Sequence, residues 1–210
     1  MNNFSLSRNK IKAFPNTVEV AGSVFLINAD YRVALKIFRI HGDGNVQGTS
    51  KVLLSLQWFY SLPMYCLLAK NNGALDEVYM AMMRFLVGEP KETPKEQKQE
   101  YCFEFDAQEI YASFLQQYGI DIVDIDFLHW YKFSALFAGL GEETPFVRKV
   151  IARTRDTSKL KGEAKALAEK AKKSVALPDN RTSAEVALER EITRRLKAGE
   201  PIDDLLGGEA

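Results

Sequence analysis

The sequence predicts a mainly α-helical fold: a small N-terminal β-hairpin, a compact helical domain, and a flexible, helix-prone C-terminal tail. Three observations predict it. Apolar residues recur at helical spacing through most of 30–155, one pair of β-branched runs flanks a glycine near the start, and Lys, Ala, Glu and Arg dominate after Asp156. The 210 residues are 46% hydrophobic and 27% charged with no net charge, ordinary values for a globular chain. A domain of about 150 residues buries roughly 70% of its unfolded surface, so neither a metal nor a disulfide is needed for stability. No apolar run approaches the ~20 residues of a membrane span. Cys66 and Cys102 form no CxxC and no signal peptide is evident, so a reducing cytoplasm is the expected compartment.

Residues 1–16 are polar with little periodicity and read as a loose arm. The runs 17–21 and 24–27 around Gly22-Ser23 read as the hairpin. Asn28 or Asp30 caps a helix through about Ile40, in which Tyr31, Leu35 and Phe38 share a face, and the glycines at 42 and 44 break it. Ser50 caps the next helix, whose apolar side is Val52, Leu53, Leu56, Phe59 and Tyr60, with Pro63 as its stop. Leu75, Val78, Tyr79, Met82, Phe85 and Leu86 repeat the helical spacing before Gly88. Residues 89–100 have no apolar residue except prolines and form a solvated linker inside a domain spanning 17–155.

The densest aromatic cluster lies at 103–140, and the domain is organised around it. Asp106 is a good N-cap, and Ala107, Ile110, Tyr111, Phe114, Leu115 and Tyr118 follow on one helix face until Gly119 ends it. Asp124 or Asp126 caps a second helix running to Gly139, with Phe133, Leu136, Phe137 and Leu140 as its main stripe. Leu128, Trp130 and Tyr131 add apolar surface on other sides, and a helix apolar nearly all round is either central or shared with a partner. Trp130, Tyr131, Phe133 and Phe137 are therefore candidates for partner binding and equally for the core. Thr144-Pro145 starts a helix lined by Phe146, Val150 and Ile151 that ends near Arg155. Residues 156–210 are too poor in apolar area to build a core, with only a thin stripe of Val186, Leu188, Ile192 and Leu196, and read as a mobile charged tail.

No familiar catalytic or metal-binding pattern stands in the sequence. The stretch 42–51 has the wrong glycine spacing for a phosphate loop and places Lys51 after Ser50. Asp121, Asp124 and Asp126 lack the glycine and glutamate of a calcium loop, so helix capping explains them better. His41 and His129 have no further ligands at zinc spacing, and His129 reads as a polar tip hydrogen-bonded to a neighbouring carbonyl or carboxylate. With no G-x-S-x-G either, neither an enzyme nor a cofactor is expected. The one charge signal is 148–173, where ten basic residues face three acidic ones. Arg153 and Arg155 within it are candidate partner-binding residues. The stretch admits a nucleic-acid reading, a docking reading on an acidic protein, and a plain solvated helix; the last is preferred because no aromatic residue is interleaved to stack on bases.

Phe103-x-Phe105-Asp106, Ile110-Tyr111-Ala-Ser-Phe114, Tyr118-Gly-Ile-Asp121, Leu128-His-Trp-Tyr-Lys-Phe133 and Ala135-Leu-Phe-x-Gly139-Leu140 together resemble the "gene product fifteen" family of phage proteins. The family occurs in long-tailed phages and prophages of Gram-positive bacteria. The likeness extends upstream through the hairpin, Asp30-Tyr31-Arg32 and Phe85-Leu-Val-Gly88, covers roughly 17–155, and fades in the tail. Tyr131 stands where a second tryptophan is expected, and either Arg153 or Arg155 matches the family's single arginine. The resemblance implies a non-catalytic tail assembly chaperone that coats the tape-measure protein and recruits tail-tube protein. It further implies self-association, residence in the cytoplasm of the bacterial host, and absence from the mature virion. A structural virion or tail connector component is the alternative reading, and a nucleic-acid-binding accessory protein using 148–173 is the third.

Overall fold

In a computed structural model, residues 14–63, 66, 74–89, 99–178, 191 and 194–195 are described. Strands β1 (Thr17–Val20) and β2 (Ser23–Leu26) pair antiparallel, with Thr17 opposite Leu26 and Val20 opposite Ser23. That register puts the two-residue turn on Ala21-Gly22, one position earlier than expected. Both have positive φ, 48° and 76°, the left-handed pair a tight hairpin turn requires.

Seven helices follow among the described residues: α1 (Tyr31–Gly42), α2 (Gly48–Phe59), α3 (Leu75–Val87), α4 (Ala107–Tyr118), α5 (Trp130–Ala138), α6 (Pro145–Thr154) and α7 (Gly162–Ser174). The chain is mainly α with one hairpin, as its periodicity implies. Asp30 caps α1, its Oδ1 accepting from the Arg32 amide at 2.9 Å. Gly119 closes α4 at φ 65°, the left-handed C-terminal residue expected there. α3 packs on β1 and α2, and α2 on α1.

Two starts differ from the sequence reading. α2 begins at Gly48 with no side-chain cap, and Ser50 lies inside it. α5 begins at Trp130, and neither Asp124 nor Asp126 caps it. His129 does so, its Nδ1 accepting the Tyr131 amide at 3.0 Å. With Nδ1 an acceptor, Nε2 carries the proton and donates to the Pro15 carbonyl at 3.1 Å. The supposedly loose arm is thus built in at its end: Phe14 stacks on the His129 ring, and the Asn16 carbonyl accepts from Ile27. Residues 1–13 lie outside the described set.

The core has two aromatic halves. Phe133 is fully buried and packs on the rings of Tyr31, Phe114, Trp130 and Phe137, its centroid 4.5 Å from that of Tyr31. Phe59, Tyr60, Phe25 and Phe85 form the other half, under the hairpin. α5 joins them: Tyr131 stacks on Phe85 at 4.7 Å, and the Trp130 indole donates to the Leu86 carbonyl at 2.9 Å.

The packed unit continues past residue 155, where the sequence placed the start of the tail. α7 lies against α6 and buries Ala168. A mostly polar helix docks here because its contact depends on a small residue and on its backbone, neither of which shows as an apolar stripe. Most of 89–100 and the 186–196 stripe lie outside the described residues.

Candidate functional site

Charged groups meet where α4, α6 and α7 converge. Asp106 occupies the cap position of α4, yet its carboxylate caps nothing. It is fully buried and takes a paired contact from Arg153, with Nη1 to Oδ2 at 2.9 Å and Nη2 to Oδ1 at 2.7 Å. Lys149 approaches Oδ1 at 3.0 Å and also reaches Glu109 at 2.9 Å. The Cys102 amide donates to Oδ2. Burial alone would push the Asp106 carboxyl upward, but Arg153, the Cys102 amide and Lys149 outweigh it and hold the pKa below the ordinary carboxylate value.

Arg153 reaches further. Its Nε donates to the Val175 carbonyl at 2.6 Å, and Nη1 also donates to the Glu100 carbonyl at 2.7 Å. One side chain therefore ties together the exit of the 89–100 stretch, the start of α4 and the end of α7. Above it the half-exposed Phe105 ring faces the Lys149 ammonium at 4.7 Å. An open cleft of 1570 Å³ lies alongside, with Leu35, Phe38 and Phe103 as apolar lining and Arg39 and Lys172 as basic lining.

The expected partner-binding residues do not form one patch. Trp130 and Phe133 are buried in the core, Tyr131 and Phe137 are half-buried against it, and Arg153 is enclosed by its partners. Arg155 alone of the six is exposed. The sequence reading missed Lys149 and Glu109. Their signal was there: acids at 106 and 109 and bases at 149 and 153 each form one face, as two antiparallel helices in contact require.

A second arrangement also went unread. Arg32, on the first turn of α1, donates to the carbonyls of Val123, Ile125 and Asp126 in the loop between α4 and α5. Asp121 closes the same loop, accepting from the amides of Val123 and Asp124 and from the Tyr111 hydroxyl. These bonds fold the loop back on itself, and the segment that looked like a helix cap is a turn.

Among the described residues, no group of three His, Cys, Asp or Glu side chains is placed to hold a metal ion. No helix among them is long and apolar enough to cross a membrane. What the arrangement does chemically is bind helices to one another.

No curated protein and no solved structure matches the chain. The family model described as Bacteriophage Gp15 protein matches residues 11–177, well over half of the sequence. The match ends two residues beyond Val175, so it takes in α7 and the full set of Arg153 partners. The packed unit and the matched region coincide at that end, and the chain belongs to the bacteriophage Gp15 family.

Proposed function

We propose that this phage protein is a non-catalytic tail assembly chaperone that coats the tape-measure protein and helps recruit tail-tube subunits, leaving before the virion is complete. Family membership across the whole packed unit carries the reading. Its surface is compatible with an apolar helical client: Val24 and Leu26 on the outer face of the hairpin, and Leu54 and Trp58 one turn apart on α2, are exposed large apolar side chains. The aromatic residues of α5 act in this reading by holding the domain that presents such a surface, since most of their area is already covered.

Co-expression with helical fragments of the tape-measure protein from the same phage, followed by size-exclusion chromatography, tests the proposal. Co-elution is expected. A folded protein that co-elutes with no fragment would sink it, and detection of the chain in purified virions by mass spectrometry would favour the tail connector reading instead.

A further inference from the structure

We propose that copies of this chain associate head to tail, with the acidic, apolar-tipped loop 121–127 of one copy seated on the basic outer face of α7 of the next. The loop is set up to dock. Arg32, Asp121 and the Tyr31 hydroxyl, which donates to the Ile122 carbonyl at 2.6 Å, hold its backbone from beneath. Val123 and Phe127 are held outward, 69% and 55% exposed. Asp124 and Asp126 beside them are exposed and have no ion pair among the described residues. A loop already ordered in this way loses little further freedom on binding.

The opposite patch carries the complementary charge. Leu167, Lys170 and Lys173 follow at three-residue steps and form one ridge of α7. Leu167 is 68% exposed. Lys170 and Lys173 are exposed without an ion pair among the described residues, and so are Arg155, Lys159 and Lys161 in the adjoining stretch. Each patch thus offers an uncovered apolar side chain beside unpaired charge, acidic on the loop and mainly basic on α7, where Glu163 in the first turn is the exception.

Position separates the end of α7 from the loop. The end of α7 is tied through Arg153 to the N-terminus of α4, while the loop leaves the C-terminus of α4. Twelve helical residues hold the two apart by about 18 Å. A second copy is the occupant that satisfies both patches. Because the patches differ, the contact is heterologous and adds copies in a row instead of stopping at two. The contact needs no tape-measure client, so it can fail while the proposed function stands, and the reverse.

The test uses the full chain alone, by light scattering coupled to size-exclusion chromatography over a range of concentrations and salt. Mass should rise with concentration beyond that of a dimer and fall as salt is added. Asp124→Lys with Asp126→Lys, and separately Lys170→Glu with Lys173→Glu, should each weaken self-association by about tenfold or more. Mixing the two variants should recover it, because each supplies the charge the other lost. Phe127→Ser should weaken it with no charge change. Circular dichroism melts confirm that each variant is folded, and replacements by Asn and Gln at the same positions serve where a swap is not. A chain that is monomeric at every concentration, a species that stops at a dimer, or a mixture that fails to recover association would each overturn the proposal. So would salt-sensitive DNA binding lost in the Lys170→Glu, Lys173→Glu variant without any self-association.

Discussion

Arg153 uses four of its five N–H donors on three separate segments, and its principal partner, Asp106, is fully buried. A buried pair of this kind adds little over a well-packed apolar pair, but removing one partner leaves a charge with nothing to face. Asp106→Ala and Arg153→Ala are each expected to cost about 3–5 kcal/mol. The double replacement Asp106→Leu, Arg153→Met should cost clearly less than the sum of the two. Urea melts of the four proteins measure this, and strictly additive losses would mean the two side chains are not acting as a pair. Lys149 is less enclosed and bridges Asp106 to the more accessible Glu109, so Lys149→Met should cost less than either buried change. Asp106 also shows the limit of reading single residues. An aspartate just before an apolar helix signals a cap, and the cap position is where it sits, yet the arginine 47 residues later takes its carboxylate.

Elements were legible in proportion to how much apolar surface they bury. α3 and α4 have their inward residues at regular spacing, and both lie where the periodicity places them. The hairpin was legible from its β-branched runs, with its turn displaced by one residue. α5 was legible as a helix but not in its start, because a histidine ring nitrogen serves as the cap and three nearby aspartates make a stronger local signal. α7 was read as tail because Ala168 is its one buried residue and its bond to Arg153 uses a carbonyl, which every residue has. That difference has a consequence. Ending the chain after Asp156 removes the Val175 acceptor and leaves the Arg153 Nε without its partner. With that bond goes the packing of α7 on α6, so this shortened protein should melt in less denaturant than one ending after Pro178. Equal midpoints would show that α7 adds nothing to the domain.

Across the whole molecule, the titratable groups in and beside the core include imidazoles held neutral and charges with fixed partners, and these set how the fold responds to acid. Burial lowers the pKa of His129, although its bond to the Pro15 carbonyl opposes the shift. Burial, with the nearby Lys51 charge, lowers that of His41. Both rings are tied into the structure as they stand: His129 between Pro15 and the α5 cap, His41 against the buried Ser55 hydroxyl across α1 and α2. Unfolded, each binds a proton near its ordinary value of 6.5, while folded it resists until lower pH. The unfolded chain therefore holds more protons below that value, and stability falls as pH drops from about 6.5. Asp106 adds a second, later loss. Its folded pKa lies below the ordinary 3.8, so its contribution is complete above that value and disappears as pH falls through the folded pKa. Thermal melts from pH 8 to pH 3 should show one decline beginning near pH 6.5 and another below about pH 4. His129→Gln, which removes one titrating group while keeping a side-chain acceptor, should weaken the first decline, leaving the share due to His41, and leave the second in place. A melting temperature unchanged between pH 8 and pH 5 would show that neither imidazole is held neutral by the fold.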